Sequence, residues 1–200
     1  MNTVALLGVG LMGAPYAEHL VAQGLNVRLY NRTRSKAEAV NGAKVFDTPA
    51  EAAQGADLLF SVLSDDSTVL AAVDHETLAA LAPNGVHLSC ATISVETTKT
   101  LMERAQKAER GHLSCPFLGR PDFVAKKAHQ FLISGTADNR AEIINLLEKT
   151  CKQVVDFGED PLAAVRSKLA TNFMIAGAVV AMGEAFAMLE SAGIDPRKAH

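Results

Sequence analysis

The sequence has no C-x-x-C pair and no histidine at a metal-ligand interval from a cysteine; Cys90, Cys115 and Cys151 stand far apart. A zinc site or a disulfide framework is therefore not expected, and the three read as reduced, mostly buried thiols of a cytosolic protein. A basic block is also missing. The 19 Lys and Arg residues are scattered among 22 Asp and Glu for a net charge of -3, which leaves no cationic strip for a nucleic-acid backbone. The opening "MNTVALLG" carries no cationic leader, so cytoplasmic localisation is expected. No internal repeat and no low-complexity linker interrupts the chain. The one long apolar stretch, "FMIAGAVVAMGEAFAML" at residues 173 to 189, is broken by Glu184. The run before that residue falls short of the roughly 20 residues a bilayer span needs. It reads as a buried helix, with no membrane partner.

What is present is an ordinary globular composition, 48% hydrophobic and 20% charged, long enough for one sizeable core. From residue 2 to about residue 60, short aliphatic runs alternate with stretches of helical period, the pattern of repeated βα units. "TVALLG" and "LNVRLY" are the first two strands, with a helix between them that starts near Met12, because Pro15 is tolerated only in a first turn, and stops at Gly24. Thr48-Pro49-Ala50-Glu51 combines an N-cap, a first-turn proline and a capping-box acid, which predicts a short helix. "ADLLFSVL", "VHLSC", "HLSCPF", "HQFLISG" and "KQVVDFG" are later strands, with helices at 95 to 110 and 138 to 150. Beyond Pro161, residues 162 to 192 read as a single helix of about 45 Å that ends at Gly193. The fold expected is α/β: a Rossmann-type, doubly wound, mostly parallel sheet followed by one long interdomain helix. A dinucleotide-binding domain would occupy 1–160, and the long helix with the start of a truncated all-helical domain 161–200.

The glycines of "ALLGVGLMGAP" sit where the first strand hands over to the first helix. Gly8 would make the tight turn, Gly10 would let the backbone approach a pyrophosphate, and Gly13 would let helix and strand pack closely. The N–H groups of Gly8, Val9, Gly10, Leu11, Met12 and Gly13 and the positive end of the helix then face the phosphates. A plain βα turn without ligand is the alternative. At the end of the second strand an NAD site carries an acid for the ribose hydroxyls, and this chain has none there: the run is Tyr30-Asn31-Arg32-Thr33-Arg34. Asn31, Arg32 and Thr33 could hold a 2′-phosphate, so the cofactor expected is NADP rather than NAD. The alternative for Arg32 is a solvated surface cation.

These residues resemble the β-hydroxyacid dehydrogenases. That group includes 3-hydroxyisobutyrate dehydrogenase, the glyoxylate and succinic semialdehyde reductases and, more distantly, 6-phosphogluconate dehydrogenase and the imine reductases. "GVGLMGAP" matches the family opening and "YNRT" its NADP-preferring members. The resemblance implies that Leu63 and Ser64, in "SVLSDD", contact the dinucleotide, and that Thr92, in "CATIS", lies beside the nicotinamide. It also implies catalytic roles for Lys168 and Asn172 in "KLATN", a spacing that places both side chains on one helix face. Lys168 would stabilise the alkoxide and donate the proton in carbonyl reduction, and Asn172 would orient the substrate or the lysine. Without the resemblance, Lys168 would read as a solvated lysine.

The chain departs from that family in two places. Where the family reads D-A-P-V-S-G-G, this chain has "SCPFLGRP", with Ser114, Leu118 and Arg120 at the acid, the serine and the last glycine; Ala91 also replaces a hydroxyl residue. Gly119 and Arg120 are the substrate-binding candidates, with Arg120 as a carboxylate clamp in place of the lost donor or as a surface or helix-capping side chain. Relatives also continue into a helical domain, whereas this chain ends at "GIDPRKAH", as a fragment or a natural truncation. Self-association into a homo-oligomer through residues 173 to 190 is therefore expected. The reading favoured is an NADP-dependent dehydrogenase or reductase of small hydroxy acids and their aldehydes. The alternatives are an NADP-binding module without turnover and an imine-reducing enzyme.

Overall fold

The computed structural model describes residues 1–198. Strands β1 (Thr3–Leu7), β2 (Asn26–Tyr30), β3 (Lys44–Val45), β4 (Leu58–Ser61), β5 (Val86–Ser89) and β6 (Gly111–Ser114) form one parallel sheet in the order β3-β2-β1-β4-β5-β6. This is the doubly wound Rossmann arrangement, whose direction of winding reverses between β1 and β4. Its central strands β1 and β4 are nearly continuous apolar runs because both their faces are covered. Val4, Leu6, Leu58, Phe60 and Leu88 face one buried cluster, while Ala5, Leu7 and Leu59 face the other.

The local signals act as their chemistry requires. Helix α1 (Gly13–Ala22) has Met12 at its N-cap and stops at Gly24, whose φ of +77° is available to glycine without strain. Helix α2 spans Arg34–Glu38, and α3 (Pro49–Ala53) carries the complete Thr48–Glu51 capping box. Asp65, Asp74 and Ser94 cap α4 (Asp66–Ala72), α5 (His75–Ala79) and α6 (Val95–Lys107) through their side chains. Helix α6 ends short of residue 110, because Glu109 turns left-handed at φ 55°.

The strands expected after β6 do not extend the main sheet. β7 (Phe117–Leu118) runs antiparallel to β8 (Gln130–Ile133), which pairs in parallel with β9 (Gln153–Asp156), so they make a separate three-stranded sheet with α7 (Pro121–Ala125) and α8 (Arg140–Glu148). Tyr16 of α1 joins the two sheets. Its buried ring meets Phe60, Phe117 and Phe131 edge-on at 5.3 to 5.4 Å, and such pairs add stabilisation beyond the area they bury.

Helix α9 (Ala163–Ser191) is 29 residues long; Pro161 precedes it rather than forming its first turn. Gly193 (φ +73°) ends it in a Schellman motif, with Gly193 N–H bonded to the Glu190 carbonyl and Ile194 N–H to that of Leu189. Only Ala164 and Val165 of this helix are buried. Beyond them Phe173 is 80% and Val180 64% exposed, so the helix expected to be buried stands uncovered within this chain. It is long and apolar enough to cross a membrane by length and composition. Residues 199 and 200 of the range expected to begin a second domain lie outside the described residues.

Candidate functional site

The loops that follow the strands at the carboxyl edge of the main sheet hold most of the residues singled out in the sequence. Between β1 and α1, each glycine of the loop is needed for its own reason. Gly8 has φ +99°, and a Cβ there would lie 2.2 Å from the Val62 carbonyl oxygen and 2.8 Å from Leu63 Cδ2. A Cβ on Gly13 would lie 1.9 Å from the Gly8 carbonyl oxygen. Around Gly10 nothing lies within 4 Å of a Cβ position. The backbone is thus bare and open at the one glycine where a ligand would have to come close. Leu11, beside it, is 81% exposed, an apolar side chain in the loop with nothing over it.

The end of β2 is bonded to this loop. Gly8 N–H donates to the Tyr30 carbonyl at 2.9 Å and Val9 N–H to Asn31 Oδ1 at 2.9 Å, while Asn31 Nδ2 donates to the Thr33 carbonyl at 2.8 Å. The Asn31 side chain is therefore part of the scaffold, and two of the loop N–H groups expected to face a phosphate, those of Gly8 and Val9, are already used within the fold. Of the two arginines that follow, Arg34 is paired with Glu38 and Asp47. Arg32 is exposed and enters no ion pair. Arg32 is thus a cation at this corner free of a carboxylate among the described residues, as is Lys36 in the helix that follows.

Leu63 reaches this centre from the β4 side, against Gly8. The Ser64 hydroxyl is turned away, donating to Asp65, which also accepts from Ser67 and Thr68. Those four bonds hold the Asp65 carboxyl well below the usual carboxylate range. Thr92 is exposed in the segment after β5, whose Cys90 N–H is fixed to the Ser61 carbonyl at 3.0 Å.

Lys168 and Asn172 lie on the first turns of α9 after the buried residues Ala164 and Val165. Lys168 is half-buried, Asn172 exposed, and no carboxylate pairs with the lysine among the described residues. Burial without a counter-charge pushes the Lys168 ammonium below its ordinary pKa, the direction a proton donor needs. The start of α9 is bound to the core by two serines: Ser114 Oγ donates to the Pro161 carbonyl at 2.6 Å, and Ser134 Oγ accepts from Ala164 N–H at 3.0 Å. Nothing in the local sequence pattern signals these contacts.

Gly119 and Arg120 are placed differently. They follow β7 in the small sheet, where a Cβ on Gly119 would lie 3.0 Å from His129 Cβ. The Arg120 guanidinium pairs with Asp122 at 3.2 Å and lies 5.2 Å from the Phe123 ring centroid. It is engaged by its own short helix rather than held out as a carboxylate clamp.

Residues 3–158 match the family model described as the NAD binding domain of 6-phosphogluconate dehydrogenase. The chain is 36% identical over 201 residues to an uncharacterized oxidoreductase, YfjR, of Bacillus subtilis, with 98% of this chain and 70% of that protein covered. It superposes on a 3-hydroxyisobutyrate dehydrogenase of Mycobacterium tuberculosis, solved with L-serine, at a TM-score of 0.88 and 28% identity, covering 98% of this chain and 67% of that one. A reductive aminase from Aspergillus terreus in complex with NADPH and ethyl levulinate shares the fold at a TM-score of 0.82 and 23% identity, with 99% and 69% covered. The chain thus spans between 67% and 70% of these relatives' lengths. It belongs to the nicotinamide-dependent oxidoreductase family of the 6-phosphogluconate dehydrogenase NAD-binding type.

Proposed function

We propose that this chain carries the cofactor half and the proton donor of an NADP-dependent reductase, or dehydrogenase in reverse, of small hydroxy acids and their aldehydes or semialdehydes. The observation that carries this reading is the bare Gly10 backbone at the β1–α1 turn, where any side chain would fill the space a diphosphate needs. The remaining N–H groups of the loop and the amino end of α1 would hold the diphosphate. Arg32, with Thr33 beside it, would hold the 2′-phosphate that distinguishes NADP from NAD, since Arg34 is already neutralised. Leu11 and Leu63 would cover the dinucleotide's apolar faces, and Thr92 would lie beside its nicotinamide ring. When bound, the nicotinamide supplies or accepts the hydride.

The chain's own contribution to the chemistry is the proton. Lys168 Nζ would donate a hydrogen bond to the substrate carbonyl oxygen, stabilise the negative charge that develops there, and pass it a proton; in the oxidative direction it would take one from the alcohol. Its lowered pKa makes that transfer easier near neutrality. Asn172, one turn further on the same face, would orient the substrate or the ammonium. Because the Arg120 guanidinium is paired with Asp122, it would grip a substrate carboxylate only by exchanging partners.

The uncovered half of α9 supports a second part of the proposal: homo-oligomerisation through residues 173 to 190, which would cover the apolar helix and close the open side of the crevice. The cytosol, where NADPH is abundant and thiols stay reduced, suits both the cofactor and the three free cysteines. The direct test is NADPH consumption with glyoxylate, succinic semialdehyde, methylmalonate semialdehyde and cyclic imines, with Lys168→Ala as control. Turnover of an aldehyde that the variant abolishes, with NADPH binding intact, supports the reading. Tight NADPH binding without any turnover favours a binding module, and turnover of imines alone favours an imine reductase.

A further inference from the structure

Helix α9 is seated on the core by a single turn. Its N-cap residue, Leu162, supplies no side-chain cap, and the N–H groups of a first helical turn have no partners within the helix. Asp160 takes two of the amides at the helix start, its Oδ1 accepting from Leu162 N–H and its carbonyl from Ala163 N–H, both at 3.0 Å, and two serine hydroxyls from elsewhere in the fold tie this turn to the core. Ser134, just past β8, accepts from Ala164 N–H, and Ser114, the last residue of β6, donates to the Pro161 carbonyl. Both serines are fully buried. Their backbones also exchange two hydrogen bonds of 3.0 Å, the antiparallel bridge at which the main sheet meets the small one. The pair is therefore a rigid double clamp that holds Pro161, just before the N-cap, with one hydroxyl and the helix's second residue with the other.

Lys168 lies four residues beyond Ala164, one turn along on the same face. Past Val165 the helix has no buried residue, so this clamp and the two small apolar residues beside it fix where the lysine sits and which way its turn faces. Ser114 occupies a position where the resembling family has an acid. A carboxylate cannot donate to the Pro161 carbonyl, so this chain's hydroxyl makes a contact that an ionised acid would not.

We propose that Ser114 and Ser134 are positioning residues that aim Lys168 at the carboxyl edge of the sheet by clamping the first turn of α9. They act through the helix and touch no substrate. The inference deepens the proposed function and rests on Lys168 as the proton donor.

The test uses the full chain with ¹³C-methylated lysines, the Lys168 signal being assigned with Lys168→Arg. Ser114→Ala and Ser134→Ala should each move the Lys168 titration midpoint up toward the ordinary lysine value, as the ammonium swings into water, while Ser134→Thr restores it. NADPH affinity should stay within about twofold, because the phosphate loop lies on β1 and α1. An unchanged midpoint in both folded alanine variants would overturn the proposal. Hydrogen exchange on the unmodified protein gives a second test should an alanine variant fail to fold. Measured on protein diluted until sedimentation shows a monomer, the amides of residues 164 to 168 should exchange about tenfold or more slowly than those of 175 to 188, and equal rates would overturn the clamp. Turnover surviving Lys168→Ala would overturn the catalytic reading instead. That result would leave the titration and exchange outcomes standing, so the two failures are separable.

Discussion

Asn31 suspends the phosphate loop from the end of the second strand: its Oδ1 accepts from Val9 N–H at 2.9 Å while its Nδ2 donates to the Thr33 carbonyl at 2.8 Å. The two bonds run in opposite directions through one amide group, so the position needs an acceptor and a donor together. Aspartate supplies the first and not the second, and adds a negative charge where a 2′-phosphate would lie. Asn31→Asp is therefore expected to keep the fold and lower NADPH affinity about tenfold or more, while NADH affinity holds or improves. Fluorescence titration with both cofactors reads the change, and equal losses for the two would contradict it.

The two arginines after Asn31 make a sharper comparison. Arg34 is paired with Glu38 and Asp47, whereas Arg32 enters no ion pair among the described residues. Arg32→Ala should cost about tenfold to a hundredfold in NADPH affinity, the value of one charged hydrogen bond or two, and leave NADH unaffected. Arg34→Ala should change neither by more than about twofold. Loss of NADPH binding in Arg34→Ala with Arg32→Ala silent would reverse the assignment.

The three glycines separate stability from binding. At Gly8 and Gly13 an added Cβ collides with backbone carbonyl oxygens at 2.2 and 1.9 Å. Gly8→Ala and Gly13→Ala should each lose more than about 2 kcal/mol of stability, as overpacking against backbone does. Gly10→Ala meets open space and should melt within a few degrees of the parent, yet lose cofactor binding about tenfold or more. If Gly10→Ala binds NADPH normally, the diphosphate does not lie on that backbone.

Gly8 and Gly13 were legible in the sequence because local chemistry decides them: a tight turn and a close packing of helix on strand each leave no room for a Cβ. The Thr48–Glu51 capping box and the Gly193 stop were legible for the same reason. The small sheet was not. β7 is two residues long and its partner is chosen by where Phe117 and Phe131 can meet Tyr16, a contact across more than a hundred positions that no local period records. The Ser114–Ser134 clamp escaped for the same reason. Arg120 read either as a clamp or as a surface or helix-capping side chain, and its place at the start of α7 beside Asp122 fits the second.

A buried polar chain gives the protein an acid limit. Ser61 Oγ lies 2.8 Å from His87 Nε2, and His87 Nδ1 lies 3.1 Å from His112 Nδ1, all within the sheet. Burial pushes His112 down to about 4, and burial together with the neighbouring His112 pushes His87 well below its ordinary value, so both are neutral when folded. Unfolding returns them to about 6.5. The unfolded chain then binds more protons, and stability, complete above pH 6.5, falls as the pH drops toward 4 by about 1.4 kcal/mol per unit for each histidine. Urea midpoints at pH 7.5, 6 and 5 should decline in that window; a flat profile would show that the pair is charged or exposed when folded.

The last expectation concerns the uncovered helix. Phe173, Val180 and Met188 are 80%, 64% and 72% exposed, and between 173 and 189 Glu184 is the one charged residue of α9. A patch of this size is larger than a soluble monomer ordinarily leaves in water. A second copy is the simplest cover, because an identical helix offers a matching apolar surface and a two-fold pairing closes without leaving a free end. Sedimentation at micromolar concentration should therefore give a dimer or higher closed oligomer, and Val180→Glu should shift it toward monomer, since a charge at a buried helix contact is costly to desolvate. The same helix passes the length and hydropathy test for a bilayer span, so flotation with phosphatidylcholine vesicles belongs beside the sedimentation run. Partition into the vesicles would point to lipid as the cover, and a stable monomer in buffer without vesicles would contradict pairing through this face.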